Sequence, residues 1–177
     1  MRADAQRNRD RLVAVAAEVV AEQGADASLE EISRRAGVGS ATLHRHFDGR
    51  VSLLEAVFRS SVDAVCVQAD DLLDHADPLQ ALQIWLRTMV GHTTNSRGLA
   101  TALVLGEACG SDAHARVITA GRRLLERAQN TGAVPADVRI EDLLKLVNGI
   151  SLASGEDSAQ ADRLLTLAIR GIAPRRS

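Results

Sequence analysis

Residues 36 to 47 read AGVGSATLHRHF, and within them Thr42, His44, Arg45 and His46 gather a hydroxyl, two imidazoles and a guanidinium with no acid among them. All four side chains donate hydrogen bonds, and the set suits phosphate oxygens and base edges. At about 100° per residue, Leu43 and Phe47 share one face of a short helix, and Arg45 falls roughly opposite their midpoint. With Ile32, Ala36 and Val38, those two residues form apolar anchors that turn Arg45 outward. An outward arginine takes both acceptors of a guanine edge, a contact worth about 1 to 3 kcal/mol of discrimination. His44 and His46 flank it at roughly 80° to either side, with Thr42 on the His46 side. Donors there meet the walls of a groove and set register on phosphates. Ala41, one turn before Arg45, is small enough to allow close approach.

Such a helix needs a turn before it and anchors around it. Gly37 suits the left-handed conformation that ends a helix, Gly39 loosens the turn, and Ser40 is placed to cap a helix over 41–47. Upstream, Ser28-Leu29-Glu30-Glu31 has the form of a capping box, in which the serine hydroxyl and the Glu31 carboxylate satisfy amides reciprocally. A first helix over 7–23 turns Val13, Ala17 and Val20 inward and ends at Gly24. Two short helices joined by a glycine-containing turn form a helix-turn-helix, whose second member fits the major groove. Arg50 opens the next helix, where the macrodipole disfavours a cation, so an arriving anion such as a DNA phosphate is expected there. Across 34–50, Arg34, Arg35, Arg45 and Arg50 oppose only Asp48.

The segment SLEEISRRAGVGSATLHRHFDGRVSLLEAVF resembles the DNA-binding region of the TetR family of bacterial repressors, a likeness covering roughly residues 9 to 58. It rests on the spacing of the capped helix, the AGV turn, Thr42-Leu43, Phe47, the basic residue at 50 and the leucine pair after it. The resemblance implies phosphate contacts from Thr42, His44 and Arg50, and base contacts around Ser40, Ala41 and Arg45. His44, Ala41 and Asp48 depart from the tyrosine, glycine and proline common at those places. His44 still donates to phosphate, with a pH dependence that tyrosine would not confer.

Over the whole chain of 177 residues, apolar side chains recur at intervals of three and four, without sustained two-residue alternation. This predicts an all-α fold of about nine helices, later ones covering 78–93, 97–108, 111–131, 140–154 and 158–172, with Asp77-Pro78 as a strong restart. A net charge of -2 and a pI near 6.2 exclude a general polycation, so nucleic-acid binding has to come from a local patch. Neither a signal peptide nor a membrane span fits the charged start, and a cytoplasmic protein is expected. Cys66 and Cys109 lie far apart in apolar surroundings, which suggests small buried side chains or a redox sensor and no disulfide framework.

The resemblance divides the chain into a DNA-binding domain, 1–50, and a helical domain, 51–177, that dimerises and binds a small-molecule effector. DPLQALQIWL and the closing leucine-rich helices resemble the subgroup with SbtR-like C-terminal domains. Leu143, Val147 and Ile150 form one apolar stripe and Leu164, Leu165, Ala168 and Ile172 another, as in an isologous four-helix interface of a homodimer. The alternative is that both stripes pack on their own core. For the effector cavity, Trp85, Met89 and His92 fall at i, i+4 and i+7 on one face, apolar surface with one polar handle. Glu107 reads either as a buried charge beside that pocket or as a surface carboxylate facing an arginine.

Enzymatic chemistry and cofactors are not expected. His44 and His46 diverge on a helix and cannot chelate a metal, and Asp71 with His75, though at i, i+4, sits among solvated acids at a helix end. Neither GxSxG, a P-loop nor a dinucleotide fingerprint is present. The expected function is that of a dimeric repressor on a palindromic double-stranded DNA operator, released by its effector. The competing readings are a helical-bundle ligand carrier or enzyme, and a constitutive architectural DNA-binding protein.

Overall fold

The computed structural model describes the backbone of residues 2–23, 27–102, 107–155 and 157–172, and the side chains of 4–23, 27–92, 112–155 and 157–171. The described residues form eight helices: α1 Arg2–Gln23, α2 Leu29–Arg35, α3 Ser40–His46, α4 Arg50–Leu72, α5 Pro78–Ala102, α6 Glu107–Asn130, α7 Ile140–Ser154 and α8 Ser158–Ile172. The break expected between helices over 78–93 and 97–108 is absent, because α5 runs on unbroken to Ala102; residues 103–106 lie outside the described residues. Thr93, Thr94, Asn95 and Ser96 lower helix propensity without breaking a helix, since none removes a backbone donor as proline would. Gly24 lies outside the described residues. None of the described helices is long and apolar enough to cross a membrane.

Two compact units emerge, Met1–Ser61 with Asn95–Gly110, and Val62–Thr94 with Ser111–Ser177. The core of the first is built from Leu12, Ala16 and Val19 of α1, Ile32 and Ala36, Leu43 and Phe47, and Leu53, Leu54 and Val57 of α4. Ala17 is exposed rather than inward. The buried face of α1 is centred on Leu12, Ala16 and Val19, with Val13 and Val20 at its edges, and Ala17 lies beyond that stripe.

The α2–α3 turn follows from Gly37, whose φ is +66°. Its amide donates to the Arg34 carbonyl at 3.2 Å, and the Val38 amide donates to the Ser33 carbonyl at 3.0 Å. This Schellman arrangement satisfies two orphan carbonyls at the end of α2, while Val38 packs on the core. The capping box is only half formed. The Ser28 hydroxyl accepts from the Glu31 amide at 3.4 Å, but the Glu31 carboxylate turns to Arg34 and Arg35. Charge-assisted bonds to two guanidiniums outcompete a bond to one neutral amide.

In the second unit Trp85 is fully buried, and its indole nitrogen donates to the Val65 carbonyl of α4 at 3.1 Å. α6 passes the ring at Gly121, where a Cβ would collide with the indole and lie 2.8 Å from Ile140. Exposed ion pairs join α4 to α6, Asp63 with Arg116 and Asp70 with Arg123. Asp77 caps α5 by accepting from the Gln80 amide at 3.0 Å, with Pro78 as first helical residue. The hairpin of α7 and α8 turns at Gly155, φ +56°.

Candidate nucleic-acid interface

α3 is positioned by its apolar residues. Leu43 and Phe47 are buried at 1% and 2% exposure against the core of the first unit. Ser40, Ala41, His44 and Arg45 are exposed, and Thr42 is half-buried. The helix starts one residue earlier than expected. Gly39 occupies the cap position in extended conformation and Ser40 is already helical, so the Ser40 hydroxyl is not spent on capping. The Gly39 carbonyl accepts from the Thr42 amide at 2.8 Å and from the Leu43 amide at 3.2 Å, which starts the hydrogen-bond ladder of α3. Arg45 makes no hydrogen bond or ion pair to any other described residue, and its guanidinium is offered outward.

Four neighbours are packed or paired within the chain. His46 is half-buried, with its ring tilted at 52° to that of Phe47 and its Nε2 buried without a hydrogen-bond partner among the described residues. It leans on the anchor and presents less of itself to a groove wall than His44 does. Arg50 is half-buried and donates from its guanidinium to the Ala27 carbonyl at 2.7 Å. The acceptor that makes a cation tolerable at the start of α4 is therefore part of the chain itself. Arg34 and Arg35 are also engaged, the former with Glu31 and the latter with Glu31 and Glu22, at 2.7 Å. Arg35 and Arg34 hold the Glu31 carboxyl below the usual carboxylate range. The Ser28 hydroxyl does the same for Glu30, with a smaller contribution from the charge of His44.

One cation escaped the sequence reading. Arg9 of α1 stacks its guanidinium 5.3 Å from the centroid of the Phe47 ring. Nothing in the local sequence signals this contact, because 38 residues separate the partners and only the packing of α1 against α3 joins them.

The residues expected around an effector cavity are distributed otherwise. Trp85 and Met89 are buried in the core, and half-buried His92 has its pKa lowered by desolvation. The side chain of Glu107 and that of Cys109 lie outside the described residues. An open groove of about 320 Å³ is lined instead by Cys66, Asp70, Arg116, Thr119 and Arg123, with Ala115 and Ala120. Cys66 is half-buried, and desolvation raises its thiol pKa above the ordinary value, the opposite of an activated thiolate. Among the described residues no group of three or more His, Cys, Asp or Glu is arranged to hold a metal. α4 ends before His75, whose ring nitrogen accepts from the Asp77 amide, so Asp71 and His75 do not share a helical face.

Of the stripes expected to meet a second copy, Leu143, Val147, Ile150 and Leu165 are buried inside the single chain. These four residues pack within their own unit. Leu164 and Ala168 are half-buried, and the Ile172 side chain lies outside the described residues. Among the described residues, the large apolar side chains left open on these helices are Leu146, Leu152 and Leu167, at 39%, 69% and 64% exposure.

Comparison with known proteins adds two family models. Residues 12–57 match bacterial regulatory proteins of the tetR family, and residues 77–174 match the C-terminal domain of SbtR-like transcriptional regulators. A crystal structure of a TetR transcriptional regulator from Streptomyces coelicolor is 36% identical, covering 95% of this chain and 99% of that one, with a TM-score of 0.84. Another, from Mycobacterium vanbaalenii, is 32% identical over 98% of this chain and 99% of that one, with a TM-score of 0.78. Among curated proteins, the HTH-type transcriptional regulator SrpR of Pseudomonas putida is 41% identical over 59 residues, 33% of this chain and 28% of that protein. The matched segment thus spans less than a third of that relative's length.

Proposed function

Because this chain belongs to the TetR family of bacterial regulatory proteins, with an SbtR-like C-terminal domain, we propose that it is a cytoplasmic, ligand-responsive repressor that binds a palindromic operator as a homodimer. The observation that carries this reading is the exposed, unpartnered guanidinium of Arg45, opposite the buried anchors Leu43 and Phe47. In the major groove α3 uses Arg45 to read a guanine, while Ser40 and Ala41 allow close approach and Thr42 and His44 reach phosphates. His46 takes a lesser part. Arg50 acts as a positioning residue, tying the start of α4 to the segment before α2. The DNA-contacting domain ends within the first turns of α4, since Leu53, Leu54 and Val57 belong to its core.

The partner copy is met by the outer faces of α7 and α8, around Leu146, Gly149 and Ala153 on one and Leu164, Leu167, Ala168 and Gly171 on the other. All are exposed or half-buried in the single chain. A small molecule bound within the second domain favours a state whose two α3 helices no longer fit one operator. To act it must bind that state more tightly than the DNA-competent one. Trp85, Met89 and His92 line its cavity only in a state that loosens their packing.

The test is equilibrium binding to the promoter duplex beside its own gene, over a salt series, with Arg45→Ala alongside. Expected are selective binding by the natural sequence and a loss of about 1 to 3 kcal/mol of discrimination at one base pair in the variant. Equal affinity for random duplexes would identify an architectural protein instead. Absence of DNA binding would favour a ligand carrier or enzyme.

A further inference from the structure

We infer that Arg9 is a DNA phosphate clamp, held at the end of the recognition helix by the ring of Phe47. This inference rests on the operator-binding reading above and assigns a contact that α3 alone does not suggest.

The argument begins with Phe47. It ends α3, its amide donates to the Leu43 carbonyl at 2.9 Å, and it is almost wholly buried. Its ring therefore cannot swing. Arg9 lies over that ring at 5.3 Å, within the range where the negative face of an aromatic ring attracts a guanidinium. Such stacking fixes the plane of the group and leaves its N–H donors free at the edge. A flexible surface arginine loses rotamer entropy on binding phosphate, whereas one already docked loses less.

The surroundings of Arg9 favour an external anion over an internal one. Arg9 is exposed and makes no ion pair with any other described residue. The acids nearest to it on its own helix are engaged elsewhere. Asp4 pairs with Arg7, and Asp10 accepts from the Gln6 amide group at 2.7 Å. Arg34, Arg35 and Arg50 are tied within the chain, whereas Arg9 and Arg45, like Arg11 on the same helix as Arg9, are exposed; of these, Arg9 is the one stacked on Phe47. Arg45 faces the bases. Arg9 lies at the C-terminal end of α3 and off its outward face, so the anion proposed for it is a backbone phosphate and not a base edge.

The experiment compares the natural protein with Arg9→Leu and Arg9→Lys on a duplex that the natural protein itself enriches from a random library. Leucine keeps apolar cover over Phe47 and removes the charge; lysine keeps the charge. For the leucine variant, the plot of log affinity against log salt is expected to flatten by about 0.9 for each phosphate lost, hence roughly 1.8 for a dimer. Its melting temperature should stay unchanged, and the lysine variant should retain the natural slope. A leucine variant with the natural slope overturns the clamp, even if it melts earlier, because a purely structural arginine would change stability and leave counterion release alone. If the natural protein enriches no duplex, the operator reading falls first and takes this assignment with it.

Discussion

An arginine in the first turn of a helix opposes the macrodipole, and from sequence Arg50 looks like an invitation to a phosphate. The structure supplies a nearer answer in the Ala27 carbonyl, 2.7 Å from the guanidinium. A carbonyl 23 residues back in the chain cannot be read from the residues around position 50, whereas the anchoring of Leu43 and Phe47 could be, because helical spacing alone sets their common face. Arg50→Met tests the difference. Losing a part-buried hydrogen bond from a charged group should cost about 1.5 to 3 kcal/mol of stability, measured by urea unfolding. The salt slope of DNA binding should stay as it was. A flattened slope with natural stability would return Arg50 to the phosphate contacts.

At the scale of elements, glycine decides two joints by different physics. Gly37 allows a left-handed residue that lets α2 stop and α3 start after four intervening residues, a role legible from the AGVG run. Gly121 has no such signal. It sits inside α6, and its reason is the indole of Trp85, which the Val65 carbonyl holds in place. Since the ring cannot retreat without losing that hydrogen bond, Gly121→Ala should cost about 1 to 3 kcal/mol through overpacking. Trp85 is the only tryptophan, so its emission should shift red as the ring is displaced. Natural emission and an unchanged melting temperature would mean that the helices have room to separate. The capping box shows the same contrast, since the motif was visible at 28–31 but the arginines that draw Glu31 away belong to the following turn of the folded helix.

For the whole molecule, the deciding question in the proposed homodimer is which side of α7 and α8 meets the second copy. Periodicity identifies the apolar stripes, yet a stripe that packs inward and one that dimerises look alike until the rest of the chain is in place. Here Leu143, Val147, Ile150 and Leu165 are consumed by the chain's own core. Leu146→Glu combined with Leu167→Glu should leave the protomer folded, because both side chains are exposed, while converting the dimer to a monomer by analytical ultracentrifugation and abolishing preference for a palindrome over a half-site. A dimer that survives both changes would place the interface on another surface. What this sequence determined unaided is local: helical class, the α2–α3 turn and the outward arginine each depend on residues within a few positions of one another. What the tertiary structure alone decided is pairing at a distance. Arg9 with Phe47, Arg50 with Ala27, Gly121 with Trp85 and the inward side of α7 all depend on which distant segment fills the space beside a residue, and that is set by packing the entire core at once.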